Sequence, residues 1–148
     1  VGAAVADKNV IAKLTIGKQG TDVHTVTLSQ AITHRFIENG TLLKNVEKSI
    51  PLYREKRDLM LQCLKEYMPK GFRHTVPQGG LFIWGEFTDG TSAAANFKKA
   101  IENNVAYVCG NDFFADGKGE NYIRLSFSNA ENADIIKGVK KLGEVFSL

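Results

Sequence analysis

The sequence predicts an α+β fold: a small, mostly antiparallel sheet packed with helices, preceded by a long helical segment kinked at a proline. Three observations carry that prediction. Residues 121–129, Asn-Tyr-Ile-Arg-Leu-Ser-Phe-Ser-Asn, alternate strictly, with Ile123, Leu125 and Phe127 on one face and Tyr122, Arg124, Ser126 and Ser128 on the other. Residues 81–87 are the most apolar strand-like run of the chain. Residues 42–68 place apolar side chains at helical spacing around a single interruption, Pro51.

Taken in order, residues 1–6 read as a short buried strand, small and apolar. Asp7 is suited to cap a helix over residues 8–18 with Val10, Ile11 and Leu14 on one side, and residues 19–24 read as a loop after Gly17 and Gly20. A second helix is expected over 25–39, with Leu28, Ala31, Ile32 and Phe36 inward and Gly40 as its stop. In the 42–68 segment Leu42, Leu43, Val46 and Ile50 form the first stripe, and Leu59, Met60, Cys63, Leu64 and Tyr67 the last. Pro51 predicts a kink or two abutting helices, and Arg54-Glu-Lys-Arg-Asp58 reads as a solvated face. Beyond Pro69-Lys-Gly71, residues 72–76 read as a strand and 77–80 as a turn. The 81–87 strand is apolar on both faces, which predicts a central strand covered on both sides. A helix capped by Thr91 or Ser92 runs to about Asn103, burying Ala94, Phe97 and Ile101, before a short strand at 105–108. Residues 110–119 form a loop whose Phe113 and Phe114 serve as a pocket lip or a core plug. Ser128 and Glu131 have the spacing of a capping box opening a helix over 130–146, with Ile135, Ile136, Val139, Leu142 and Phe146 inward.

Composition narrows the function. The 148 residues suffice for one domain with a real core. A formal charge of +3, dispersed over 19 basic and 16 acidic side chains, speaks against a nucleic-acid or membrane-surface partner. No apolar run approaches the roughly 20 residues of a spanning helix. Two cysteines, Cys63 on a helical stripe and Cys109 in a turn, give no disulfide framework and suit a reducing cytoplasm. The N-terminal stretch lacks the basic flank and apolar region of a signal peptide, and it opens without Met, as a fragment or processed product would.

The chemistry on offer is sparse. His24, His34 and His74 lack metal-ligand spacing, Asp112 and Asp116 read as a solvated loop, and no nucleophile elbow occurs. Gly79-Gly80 precedes a strand rather than a helix and is no phosphate loop. Arg124 stands out. A forked guanidinium set between an aromatic ring and hydroxyls suits a carboxylate, whereas the plainer reading is an edge-strand arginine in solvent.

Four segments, Lys18-Gln-Gly-Thr-Asp-Val-His-Thr-Val-Thr-Leu-Ser-Gln30, Leu52-Tyr-Arg-Glu-Lys-Arg-Asp58, Pro77-Gln-Gly-Gly-Leu-Phe-Ile-Trp84 and Tyr122-Ile-Arg-Leu-Ser-Phe-Ser128, occur in order along the chain. Together they resemble the C-terminal part of class I/II, fold-type I aminotransferases that use pyridoxal 5′-phosphate. The resemblance is greatest to the aromatic, 2-aminoadipate and multi-substrate branch, which includes the aminotransferase-like domains of MocR-type regulators. It implies that Arg124 grips a substrate α-carboxylate and that Gly79 and Gly80 let backbone approach the ligand. It implies that residues 1–40 are a remnant of the interface with a large domain and that residues 41–148 are the small domain. It also implies a homodimeric parent acting on amino acids and 2-oxo acids. The family's cofactor lysine, the neighbouring phosphate-contacting arginine and the acid opposite the pyridine nitrogen would all precede Val1. Lys13 and Lys18 do not match the lysine motif, so no catalytic, cofactor or metal residue is assigned. The piece alone is expected to be inactive and to bind no cofactor. Pro51 and Cys109-Gly110 are local departures from the family pattern.

Two other readings follow from the same residues. The first is the effector-binding half of a MocR-type transcription regulator, distinguished by a winged helix-turn-helix upstream. The second is an RNA-binding module, suggested by the aromatic strand at 80–87. That strand has no Lys or Arg, which such a surface needs.

Overall fold

The computed structural model describes residues 1–147, which fall into two units, Val1–Ser49 and Ile50–Leu148. The regular structure of the first is all helix: α1 (Lys8–Thr21), α2 (Thr27–Glu38) and the start of α3 (Thr41–Tyr67), which continues into the second. Asp7 caps α1, its carboxylate accepting from the Asn9 N–H at 2.8 Å. Gly40, at φ +72°, ends α2 with a bond from its N–H to the Ile37 carbonyl.

The second unit contains β1 (Phe72–His74), β2 (Phe82–Phe87), α4 (Ala93–Glu102), β3 (Val108–Cys109), a 3₁₀ turn (Gly110–Phe113), β4 (Tyr122–Ser126) and α5 (Asn132–Phe146). The strands lie in the order β1-β2-β4-β3, every neighbouring pair antiparallel. This is the expected α+β arrangement.

One face of the sheet builds the core. Ile83, Phe87, Ile123, Leu125 and Phe127 are buried with Met60, Cys63 and Leu64 of α3 and Ile135, Val139, Leu142 and Val145 of α5. Each such aliphatic or aromatic side chain stabilises the fold by about 1.5–3 kcal/mol through burial. Phe87 packs on Phe72 and Phe146 with ring centroids at 4.9 and 4.3 Å. The ends of α4 and α5 are tied by two lysines: Lys99 Nζ donates to the Val145 carbonyl and Lys141 Nζ to the Asn103 carbonyl. Among the described residues no helix is long and apolar enough to cross a membrane.

Several expectations are corrected. Residues 1–6 form no strand and are exposed, because the first unit offers only helices and a strand needs a neighbour to bond. α1 runs through Gly17 and Gly20 to Thr21, since a helical glycine costs only about 1 kcal/mol. Leu28, Ile32 and Phe36 of α2 are 69%, 49% and 47% exposed, and Ala31 is exposed too. Leu42, Leu43, Val46 and Ile50 of α3 are likewise exposed.

In the second unit, α3 is one helix with Pro51 inside it rather than two abutting ones. The charged cluster is not all solvated: Lys56 is buried and Arg57 half-buried. α4 buries Ala93 and Ala100, while Ala94, Phe97 and Ile101 are exposed; the small residues are those that allow close packing. Ile136 of α5 is exposed. The capping box does not form, because α5 starts beyond Glu131 and the Ser128 hydroxyl bonds that of Ser126. The 105–108 strand is displaced to Val108–Cys109 because Tyr107 turns inward, its buried hydroxyl donating to the Ala93 carbonyl at 2.6 Å. β2 is central as expected, but only one face is fully covered, with Phe82 45% exposed on the other.

Two glycines of α5 test the packing. A Cβ at Gly143 would fall on the carbonyl of Tyr67, whereas one at Gly138 would make an ordinary 3.9 Å contact with Val105. Gly143→Ala is therefore expected to destabilise by about 1–3 kcal/mol, and Gly138→Ala to stabilise by up to about 1 kcal/mol through helix propensity. Urea unfolding midpoints check both, and a Gly143→Ala variant as stable as wild type refutes the close approach of α5 to Tyr67.

Candidate functional site

The antiparallel register of β2 and β4 sets Phe82 opposite Ser126, Trp84 opposite Arg124 and Glu86 opposite Tyr122. Opposed residues share a face. All six therefore lie on the side of the sheet away from the core residues Ile83, Ile123 and Leu125. β3 brings Val108 beside Arg124 from the other side.

On this face the Arg124 guanidinium lies 4.2 Å from the Phe82 ring centroid and 4.9 Å from that of Phe113. Such contacts are worth about 0.5–2 kcal/mol and leave the fork's N–H edge free for an anion. Among the described residues no carboxylate forms an ion pair with Arg124. Trp84 stacks on Tyr122 at 5.6 Å and 21°, and meets Phe113 edge-on at 5.2 Å. Phe114 closes against Tyr122 at 5.0 Å. Phe113 thus lies beside Arg124 and Phe114 beside Trp84 and Tyr122; the two remain 47% and 36% exposed, and neither plugs the core. Tyr122 donates its phenol proton to Glu86 Oε1 at 2.9 Å, and that bond holds its pKa above the ordinary phenol range.

Gly79 and Gly80 lie elsewhere. They line a cleft of 180 Å³ with Tyr53, Arg54, Arg57 and Phe127. Arg57 fixes this loop by donating to the Pro77 carbonyl at 3.1 Å while pairing with Asp58 at 2.6 Å. Gly80 has φ +77°, which favours glycine, and a Cβ on either residue would meet open space. Phe127 of this cleft belongs to the core set and Arg124 to the opposite face, so the three sequence-predicted residues do not share one cavity. Sequence reasoning missed Phe82 and Glu86 as neighbours of Arg124. The available signal was that Glu86 is the one charged residue in an otherwise apolar strand.

Other candidates offer little chemistry. Burial pushes the thiols of Cys63 and Cys109 up, so neither is an activated nucleophile. Among the described residues no three His, Cys, Asp or Glu side chains are grouped to hold a metal.

The chain is 42% identical over 143 residues to a 2-aminoadipate transaminase of Thermus thermophilus, covering 97% of this chain and 36% of that protein. It superposes with a TM-score of 0.83 and 40% identity on the crystal structure of an alpha-aminoadipate aminotransferase from the same organism, complexed with N-(5′-phosphopyridoxyl)-L-leucine. The match covers 97% of this chain and 36% of that one. Over its whole length the chain matches the C-terminal domain of fold-type I aminotransferases. It spans about a third of the length of these relatives. An HTH-type transcriptional regulator of Bacillus subtilis is also similar, 30% identical over 97% of this chain and 29% of the regulator. No protein-family model matches.

A pyridoxal cofactor needs an amine for its aldehyde and an acid beside its ring nitrogen. The six paired residues of the Arg124 face supply a guanidinium, aromatic rings, hydroxyls and a carboxylate already bound to Tyr122, and none of the six is a lysine. These residues fit a ligand carboxylate and do not fit the cofactor.

The Tyr122–Glu86 bond makes a prediction about pH. A phenol whose pKa is raised in the fold keeps its hydrogen bond below the ordinary phenol pKa and loses it as pH rises through the raised value. Alkaline absorbance titration should therefore show one phenol moving down toward the ordinary range in Glu86→Gln. An unchanged titration curve refutes the bond.

Proposed function

We propose that this domain recognises the α-carboxylate of substrate in an enzyme that transfers an amino group between an amino acid and a 2-oxo acid. The observation that supports this best is a partly buried arginine, free of internal carboxylates, held between two aromatic rings on a sheet face. A guanidinium offers two parallel charge-assisted bonds to a carboxylate, and the rings beside it lower the local dielectric in which those bonds form. Gly79 and Gly80 line a separate cleft, so the backbone approach assigned to them is to a part of the ligand other than the carboxylate at Arg124. When bound, pyridoxal 5′-phosphate supplies the electron sink of transamination. In this reading it is held by residues outside the 148, and the isolated chain is inactive. Residues 1–40, whose helices expose Leu28, Ile32 and Phe36, are assigned to packing against a large domain and a second subunit. Two free cysteines suit a cytoplasmic enzyme.

The similarity to the Bacillus subtilis regulator supports a second reading, in which the same domain senses an amino-acid effector for a MocR-type transcription factor. A winged helix-turn-helix at the head of the full polypeptide decides for it.

Breaking one partner of a desolvated charge pair costs about 2–5 kcal/mol, or roughly 30- to 5,000-fold in affinity. In the full-length protein Arg124→Ala should depress kcat/KM for amino acids by at least about 30-fold. It should spare the decarboxylated amine analogue and leave cofactor content intact, and Arg124→Lys should recover only part of the loss. Steady-state transamination of both substrates, with cofactor absorbance, is the measurement. Equal loss on both substrates makes Arg124 structural.

The isolated chain should also give no saturable visible band on titration with pyridoxal phosphate. A one-to-one band that borohydride fixes to a single lysine overturns the assignment of the cofactor to other residues.

A further inference from the structure

Trp84, Glu86, Tyr122 and Arg124 occupy the corners of a square on the outer face of the sheet, with Trp84 facing Arg124 and Glu86 facing Tyr122 across the strands. Glu86 and Arg124 are therefore diagonal neighbours, a spacing that long side chains readily bridge. An ion pair on that diagonal is the obvious outcome for a carboxylate and a guanidinium sharing one face. It does not form.

Two contacts account for its absence. The indole of Trp84 and the phenol of Tyr122 stack along the other diagonal, at 5.6 Å and 21°, across the line from Glu86 to Arg124. The Tyr122 hydroxyl meanwhile engages Glu86 Oε1 at 2.9 Å. Arg124 lies over Phe82, the residue two positions along β2 from Trp84 in the direction away from Glu86. Phe113 receives it from the loop side.

We infer that Tyr122 is a positioning residue that restrains Glu86 and keeps it from occupying the anion site on Arg124. The inference rests on Arg124 being the carboxylate site. Glu86 is the internal competitor: once released, it satisfies the guanidinium intramolecularly, and an incoming carboxylate must displace it. Apparent affinity then falls by the fraction of molecules in which the guanidinium remains open.

The test uses the full-length protein and Tyr122→Phe, which keeps the ring stack and removes only the hydroxyl. KM for the amino acid should rise by about 2- to 6-fold, while the decarboxylated amine is unaffected. Adding Glu86→Gln to Tyr122→Phe should restore the wild-type KM, a rescue that a merely structural role for the tyrosine does not produce. The crystal structure of Tyr122→Phe should place a Glu86 carboxylate oxygen within about 4 Å of the Arg124 guanidinium, the range of an ion pair. If Glu86 stays in place in that structure, the inference is overturned whatever the kinetics. It is equally overturned if Glu86 swings over but KM is unchanged, or if Glu86→Gln gives no rescue. Failure of the underlying reading has a different signature: Arg124→Ala then fails to discriminate amino acid from amine, and the position of Glu86 in the Tyr122→Phe structure still decides whether the tyrosine restrains it.

Discussion

The β2–β4 ladder is the constraint on which the second unit depends. Because side chains alternate along a strand, one register decides two things at once. It delivers Ile83 and Leu125 to the core and Trp84 and Arg124 to the opposite face. A slip of one residue would bury a guanidinium and expose isoleucine and leucine, a loss of several kcal/mol on the apolar side alone. The inner face thus fixes the geometry of the outer one, and α3 and α5 hold the strands by covering the core.

How much of this was legible in the sequence depended on whether the signal was local. The alternation of residues 122–127 was, and the faces it assigned to Ile123, Arg124 and Leu125 are those observed. The stop at Gly40 and the cap at Asp7 were also local and are both present. α4 misled because two of its faces are apolar. One carries Ala93 and Ala100, the other Ala94, Phe97 and Ile101, and bulk favoured the second whereas close packing took the first. The Ser128–Glu131 pattern failed because a nearer partner, Ser126, claimed the hydroxyl. For α2 the apolar stripe was read correctly as a stripe and wrongly as inward-facing. Periodicity establishes that a face wants covering, and only tertiary structure establishes what covers it.

The surroundings of Arg124 were illegible for a deeper reason. Phe82 and Phe113 come to the guanidinium from a different strand and a different loop, and Glu86 comes to Tyr122 through pairing across strands. No window of sequence contains these neighbours together. What the sequence did carry was the residue types: a strand with three aromatics, one glutamate and no basic residue, and another with one arginine.

An unpaired arginine on a sheet face needs a physical account, because cations half-removed from water normally find an anion. Here the account is aromatic. A guanidinium is weakly hydrated for a cation and stacks on ring faces, so Phe82 and Phe113 offset part of its lost hydration without consuming its N–H donors. A carboxylate partner from within the fold would have stabilised the side chain at the expense of the proposed site, occupying the bidentate edge that a ligand carboxylate would use. The rings therefore hold Arg124 in place and leave its charge available, a combination that neither a solvent-exposed arginine nor an internally paired one provides.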